Sequence, residues 1–169
     1  MQLTQGAADM RAAFLAHSPP QGWGIDPSAA PPMGHPLQDH LIAVSTLAAQ
    51  FAGNRGNDWG AEWARLAGLW HDLGKFRPGF QAYLRITPDA PIEARLPARS
   101  EKTHSAAGAL HALQVFEQHW GAAGALVGRV LAAIIGGHHA GLPDWHAGLD
   151  QRLLGVGAEH SRREADEAL

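Results

Sequence analysis

Eleven histidines occur in this chain of 169 residues, and several of them fall near the expected beginnings or ends of helices. Six residues share this placement: His40, the pair His71-Asp72, His104, and the pair His138-His139. Neutral imidazoles combined with a carboxylate suit divalent ions such as Mn, Fe, Co, Ni or Zn. Because neighbouring side chains on a helix diverge by about 100°, the His-Asp pair alone cannot enclose an ion. The pattern therefore predicts a metal site whose ligands come from several helices.

Each of these residues also has an ordinary structural explanation. A single histidine on an apolar helix face, such as His40, is more often a core residue bonded to a carbonyl, and His104 could simply begin a helix. Asp72 is harder to explain, because it follows an apolar helical pattern and an acid beside a buried face needs a strong partner. A metal ion is one candidate for that partner, and the joint occurrence of all the groups favours it.

The hydrophobic pattern predicts the helices that must position these residues. Apolar residues recur at helical spacing over 37–51 and 63–73, and Gly74 is expected to end the second helix. Further helices are expected at three places: from Pro78, in two segments within 104–137, and around 149–154. No strand-like alternation or repeat occurs, so the predicted fold class is an all-α helical bundle.

Four segments, in this order, carry a resemblance to a known family: HPLQDHL, LAGLWHDLGKF followed by FQAYL, KTHSAAGAL, and IIGGHHAGLPD. Together they resemble the HD nuclease domain of CRISPR-associated type I effectors over residues 35 to 144, and FLAHSPP resembles that family's start. The resemblance implies an HD-domain bundle that hydrolyses phosphodiester bonds of single-stranded DNA in antiviral interference. It also implies two partners, a superfamily 2 helicase (as a domain or a subunit) and a CRISPR surveillance complex. We expect residues 1–169 to form one such domain, with a proline-rich segment over 1–36.

The resemblance also implies a set of metal ligands for two ions. The ligands of the first ion are His40, His71 and Asp72. Those of the second ion are Asp72, which bridges the two, together with His104, His138 and His139. The expected ions are divalent transition metals (Mn, Co, Ni or Fe), with Mg as a further candidate. Two ions held by a bridging carboxylate can activate water near neutral pH and stabilise charge on a phosphate.

Two further residues match the motifs of the family. Lys75 is expected to face the phosphate, which makes it a catalytic and substrate-binding residue beside Asp72. Ser105 is expected to contact the phosphate or to support a ligand. Lys75 also suits the end of a helix, where a cation interacts favourably with the helix dipole, and the two roles can coexist.

The family's pattern ends with an aspartate on a later helix, and this chain offers no clear match for it. Asp150 and Asp166 are the only aspartates after the LPD segment, and neither has a recognisable context. Three explanations stay open: the chain is a fragment truncated at its C-terminus, the first site is incomplete, or a water or another side chain takes that position. The second site is therefore predicted to be intact and the first to be weakened.

Composition narrows the class of protein. The absence of cysteine excludes thiolate metal sites, thiol catalysis and disulfides. No apolar run approaches the roughly 20 residues of a membrane span and no signal-peptide pattern occurs, so a cytoplasmic protein with no membrane partner is expected. The net charge is −3, but the stretch from Lys75 to Lys102 carries +3. That stretch could bind a polyanion, although a solvated loop face is the commoner meaning of such a bias.

Two alternative functions stay open. One is an HD-type nucleotide or cyclic-nucleotide phosphohydrolase, which would need a closed pocket that reads a base and a sugar. The other is a catalytically incomplete metal-binding module that docks to a helicase or a surveillance complex. Five histidines have no motif support and are expected to be structural or surface residues: His17, His35, His111, His119 and His160.

Overall fold

The computed structural model describes residues 14–17, 35–53, 58–85, 103–139, 141–142 and 144–169. Within these ranges the chain forms six α-helices and no strand, which confirms the predicted all-α fold. The helices are α1 (Leu37–Gly53), α2 (Asp58–Trp70), α3 (Pro78–Leu84), α4 (Ala106–Gly137), α5 (Asp150–Leu154) and α6 (Glu159–Ala168). A 3₁₀ helix, Leu73–Phe76, links α2 to α3, and a π-helical turn, Trp145–Leu149, precedes α5. Most of the proline-rich segment and of the basic stretch lies outside the described residues.

Helices α1 and α2 approach each other closely through small residues. A Cβ added at Gly68 would lie 2.8 Å from the Cα of Ser45, so the approach requires glycine there. The Ser45 hydroxyl donates a hydrogen bond of 2.9 Å to the carbonyl of Arg65. This contact holds α1, with His40 in its first turn, against the helix that leads into His71.

The apolar residues that recur along α1 are buried at its start and exposed at its end. Leu37 and Leu41 are buried, whereas Phe51 is 72% exposed. The face of α1 that meets α2 carries Ser45 and Gly53, and a Cβ at Gly53 would already be 3.5 Å from the Cβ of Ala61. At that separation small side chains fill the interface, and the large ring of Phe51 stays outside it.

Helix α4 is folded back on itself at Gly121. The φ of 57° and ψ of −139° at this residue are not helical, and a positive φ favours glycine. A Cβ added at Gly128 would lie 3.2 Å from the carbonyl oxygen of Ala112, which places the second half against the first. The two helices predicted within 104–137 are therefore the two arms of this hairpin, and the fold brings its two ends together.

The main hydrophobic core lies along α4. Its fully buried members include Ala109, Leu131 and Ile135, and Trp63 and Trp70 of α2 pack against the same cluster. The core therefore fixes α2, which leads into the His-Asp pair, against the arms of α4.

The predicted end of the second helix at Gly74 is wrong. Helix α2 ends at Trp70, and residues 71–72 form a turn before the 3₁₀ helix. Gly74 is needed for another reason, since an added Cβ would lie 2.4 Å from the carbonyl oxygen of His104. The N–H of Gly74 also donates to that carbonyl over 3.2 Å. Gly74 thereby sets the distance between the His-Asp turn and the start of α4.

The apolar pattern does not predict α6, because the inward face of this helix is largely polar. Ser161 and Glu164 are buried there. The Oε1 atom of Glu164 accepts the N–H groups of Ala106 over 2.7 Å and Ala107 over 3.0 Å. A carboxylate at this place satisfies free N–H groups and complements the positive end of the helix dipole. Glu164 therefore caps α4 directly after His104.

Substitution Glu164→Ala is expected to lower the free energy of unfolding by about 1–3 kcal/mol, since two N–H groups at the buried start of α4 lose their acceptor. Denaturant unfolding measures this change. Glu159→Ala is the matched control, because Glu159 is an exposed glutamate of the same helix. An equal loss of stability in both variants would contradict the capping role.

By length and composition alone, one helix in the described part of the chain could cross a membrane. This is α4, which has a mean hydropathy of 1.5 over its most apolar 18-residue window, but it folds back at Gly121 and neither of its arms is that long. Its buried residues form the core of the fold, and core helices commonly pass the same test. The composition of α4 is therefore weak evidence for a membrane span.

Candidate metal centre

Asp72 lies at the centre of the site, with 3% of its side chain exposed. Its Oδ2 atom lies 3.2 Å from Nε2 of His40 and 3.1 Å from Nε2 of His71. The two imidazole nitrogens are 3.2 Å apart. Because each donor would lie about 2.0–2.2 Å from a bound divalent ion, donors at these separations can be neighbours around one ion.

The other carboxylate oxygen of Asp72, Oδ1, faces a second pair of imidazoles. Nε2 of His104 is 3.3 Å from it and Nε2 of His138 is 3.4 Å from it. Nε2 of His139 lies 2.7 Å from that of His104. Oδ1 is buried and has no hydrogen-bond partner among the described residues. A buried carboxylate oxygen without a donor is costly, and a cation bound beside it would remove that cost.

These contacts define two groups of donor atoms that share Asp72. The first group is His40, His71 and Asp72, and the second is Asp72, His104, His138 and His139. Within each group the donor atoms lie within 4.8 Å of one another. The structure therefore brings together all six residues that the resemblance implies as ligands. They come from α1, from the turn after α2, and from the two ends of the α4 hairpin.

Hydrogen bonds to helix carbonyls orient two of the imidazoles. Nδ1 of His71 donates to the carbonyl of Gly68 over 2.8 Å, and Nδ1 of His138 donates to the carbonyl of Ile135 over 2.6 Å. A carbonyl can only accept, so Nδ1 carries a proton in both residues, and Nε2 is the nitrogen left to bind a metal ion. In both residues Nε2 faces Asp72, so the ring is already oriented to bind an ion through Nε2 once that nitrogen carries no proton.

The protonation states of three donor residues also suit a cation site. Burial alone would raise the pKa of Asp72, but the imidazoles of His138 and His71 and the ammonium of Lys75 hold that pKa well below its usual range. Burial lowers the pKa of His40 and of His139. Asp72 is therefore a carboxylate, and these two histidines are neutral near pH 7, which are the forms that bind metal.

The structure places Lys75 beneath the site rather than on an open surface. It is 6% exposed, and its Nζ lies 2.8 Å from Oδ2 of Asp72 and donates to the carbonyl of Ala16 over 3.0 Å. Arg77, the next basic residue of the positive stretch, is 2% exposed and donates to the carbonyl of Thr103. These two cations therefore do not contribute to a surface patch for a polyanion. Ser105 is half-buried in the turn that precedes α4.

Asp72 is the only carboxylate in either group, within the part of the chain that the structure describes. Asp150 lies at the start of α5, where its carboxylate accepts the N–H of Gln151. Asp166 is exposed on α6, and Glu159 is exposed in the first turn of that helix. None of these three takes the place of the family's final aspartate in the described structure.

Two histidines that the sequence suggested to be structural or surface residues lie beside the site. His17 and His35 form a third group of possible metal donors together with His40. The available signal in the sequence was their position in FLAHSPP and HPLQDHL, the segments that resemble the family's start. The distance between His17 and His35 along the chain does not by itself predict that the two side chains lie together.

The donors present fit two divalent ions that share Asp72. Imidazole nitrogens and one carboxylate are the ligand types that Mn, Fe, Co, Ni and Zn accept. The buried Oδ1 atom without a hydrogen bond is the feature that an ion in the second group would explain.

The chain matches a known protein family. A family model described as "Cas3, HD domain" matches residues 27–167. That range contains all six residues of the two donor groups and most of the helical structure. Among curated proteins, none matches the chain significantly.

Proposed function

The chain belongs to the family of Cas3 HD domains, and from this premise we propose that it cuts single-stranded DNA in CRISPR interference. Membership implies a metal-dependent nuclease of CRISPR systems, and the choice of a single-stranded substrate is our proposal. The observation that supports it most directly is the pair of donor groups that share Asp72. We propose a cytoplasmic protein that works with a superfamily 2 helicase and a CRISPR surveillance complex.

In the proposed reaction, water adds to phosphorus, and one phosphorus–oxygen bond of the DNA backbone breaks. One product ends in a phosphate and the other in a hydroxyl group. Two bound divalent ions would supply a nucleophile near neutral pH and offset the charge that builds on the phosphate oxygens. The residues of this chain determine where those ions lie.

Asp72 sets the relation between the two ion positions. Its two oxygens face opposite groups, with His71 on the Oδ2 side and His104 on the Oδ1 side. With donor atoms facing both of its oxygens, Asp72 would hold two ions, which would supply a nucleophile and offset charge on a bound phosphate. The low pKa of Asp72 keeps the bridge ionised at the pH of the reaction.

Lys75 has two proposed roles at this site. Its ammonium is paired with Asp72 and bonded to the carbonyl of Ala16, so it holds the bridging carboxylate in place. Its predicted contact with a substrate phosphate would add a positive charge beside the non-bridging oxygens. Lys75→Ala should then retain bound metal and slow turnover.

Access to the ions favours a single strand. His138 and His139 lie at the surface, at the end of the α4 hairpin, so the site opens outward and a backbone phosphate must come to it. In a duplex the second strand limits that approach. The sequence contains no phosphate-binding loop of an ATP-driven motor, so strand separation is assigned to the proposed helicase partner.

The proposal predicts that the metal-free chain, loaded with Mn²⁺, Co²⁺ or Ni²⁺, cleaves circular single-stranded DNA and leaves duplex DNA intact. Gel analysis of both substrates under each metal measures this. Excess chelator should abolish cleavage, and His119→Ala, which alters an exposed histidine of α4 outside the donor groups, should not change it.

The same assay separates the two alternatives. Hydrolysis of nucleotides or cyclic nucleotides without cleavage of DNA would favour the phosphohydrolase. Metal binding without hydrolysis of either substrate would favour the docking module. Cleavage of the circle under any of the three metals would contradict both.

A further inference from the structure

A cluster of imidazoles extends beyond the two donor groups at His40. One donor nitrogen from each of His17, His35 and His40 lies within 4.8 Å of the others. The ring centroid of His40 is 5.2 Å from that of His17 and 5.5 Å from that of His35. It is also 5.2 Å from that of His71. His40 therefore connects the first donor group to two further imidazoles.

The backbone holds these two imidazoles in place. Leu15 and Pro36 form an antiparallel bridge. The N–H of Ala16 donates to the carbonyl of His35 over 2.8 Å, and the N–H of Leu37 donates to the carbonyl of Phe14 over 2.9 Å. Ala16, which precedes His17, is therefore paired with His35 itself, directly before α1.

Buried side chains of the HD motif region anchor the same segment. Gln81, 4% exposed, accepts the N–H of Leu15 over 2.8 Å and donates to the carbonyl of Leu15 over 2.9 Å. Lys75 donates to the carbonyl of Ala16 while its ammonium pairs with Asp72. The segment that carries His17 is therefore fixed by the same lysine that holds the bridging carboxylate.

We propose that His17 and His35 are additional ligands of the first ion, the one held by His40, His71 and Asp72. This assignment rests on the two-ion centre of the proposed function. Three protein donors leave open coordination positions on a divalent ion, and the described residues provide no second carboxylate to fill them. His17 and His35 share only His40 with the first donor group, so in the proposed site their side chains turn toward the ion and supply two of those positions.

The imidazoles of His17 and His35 would change which metal ions the first site prefers. A first site with four imidazole nitrogens and one carboxylate prefers Co²⁺, Ni²⁺ or Zn²⁺, because imidazole suits these ions. Mg²⁺ requires oxygen ligands and retains several waters, so it should bind this site poorly. A carboxylate in the family's usual position would instead favour hard cations.

Cobalt binding tests the assignment without relying on cleavage. The metal-free full chain is titrated with Co²⁺, with stoichiometry taken from calorimetry and coordination from the visible absorption of the ion. The unaltered chain should bind two ions. In the double variant His17→Ala, His35→Ala, the affinity for one of the two ions should fall about tenfold or more. Loss of a group that only hydrogen-bonds to a ligand already weakens metal binding by about 10–100-fold. The other ion should bind with unchanged affinity.

His119→Ala is the control, since its imidazole lies on α4 outside all three groups. Circular dichroism checks the helical content of each variant. If the double variant loses helix, the single variants His17→Gln and His35→Gln replace it, and each should change the absorption of the weakened ion.

Two results would overturn the proposal. One is unchanged binding of both ions in the double and single variants. The other is a third ion in the unaltered chain that disappears from the variants while two remain unaffected, which would assign these histidines to a separate site. A chain that binds two ions, loses one on substitution and never cuts DNA would support the ligands and contradict the nuclease.

Discussion

Asp72→Ala is expected to abolish DNA cleavage and to prevent two ions from binding to the same chain. Each carboxylate oxygen faces a different donor group, so the substitution removes a ligand from both at once. The loss of rate should exceed the roughly 10²–10³-fold cost of removing one electrostatic donor from an active site. Cleavage of circular single-stranded DNA and equilibrium metal content measure the two effects.

Asp166→Ala is the matched control for this substitution. Asp166 is an exposed aspartate of α6 outside both donor groups, and its removal should leave cleavage unchanged. Asp72→Asn keeps the size of the side chain and removes its charge, so it should fail like the alanine variant. Undiminished cleavage by Asp72→Ala would reject the bridged two-ion mechanism.

Gly74→Ala is expected to have the largest effect on stability among the substitutions considered. An added Cβ would meet the carbonyl oxygen and Cα of His104 at 2.4 and 2.5 Å, and Oε1 of Glu164 at 2.6 Å. Two of these atoms are backbone and cannot rotate away. Overpacking of this kind costs about 3 kcal/mol or more, which corresponds to a fall in melting temperature of about 6–12 °C for a chain of this size.

The same substitution should also disturb the metal centre. The carbonyl that contacts Gly74 belongs to His104, and the imidazole of His104 faces Oδ1 of Asp72. The ion of the second donor group should therefore bind more weakly. Gly157→Ala is the control, because a Cβ at Gly157 would meet nothing within 4 Å. Equal melting temperatures for the two variants would show that the turn accommodates the side chain.

The residues proposed as metal ligands could be picked out from the sequence because each belongs to a short motif. His40, the His71-Asp72 pair and the His138-His139 pair carry their chemistry in local residue types and local spacing. The family match over residues 27–167 covers the same motifs. The final carboxylate could not be assigned in this way, since aspartates without a motif have no local signal.

Local spacing also misjudged two features of the helices. It placed the His-Asp pair inside a helix that ends at Trp70, one residue before the pair. It also missed α6, because the buried face of that helix contains Ser161 and Glu164 rather than apolar residues. In α6, Glu164 is buried because it caps the start of α4, a distant part of the chain.

By itself, the sequence determined that the chain is helical and that it carries the donor residues of an HD site. Both properties follow from residue types a few positions apart, which is the range over which helical periodicity acts. Only the tertiary structure decided the contacts of Lys75, Glu164 and the N-terminal histidines. Lys75 is bonded to Ala16, 59 residues away, and Glu164 caps Ala106 from 58 residues away. Such contacts depend on how the folded helices meet, and no local pattern of residues encodes that arrangement.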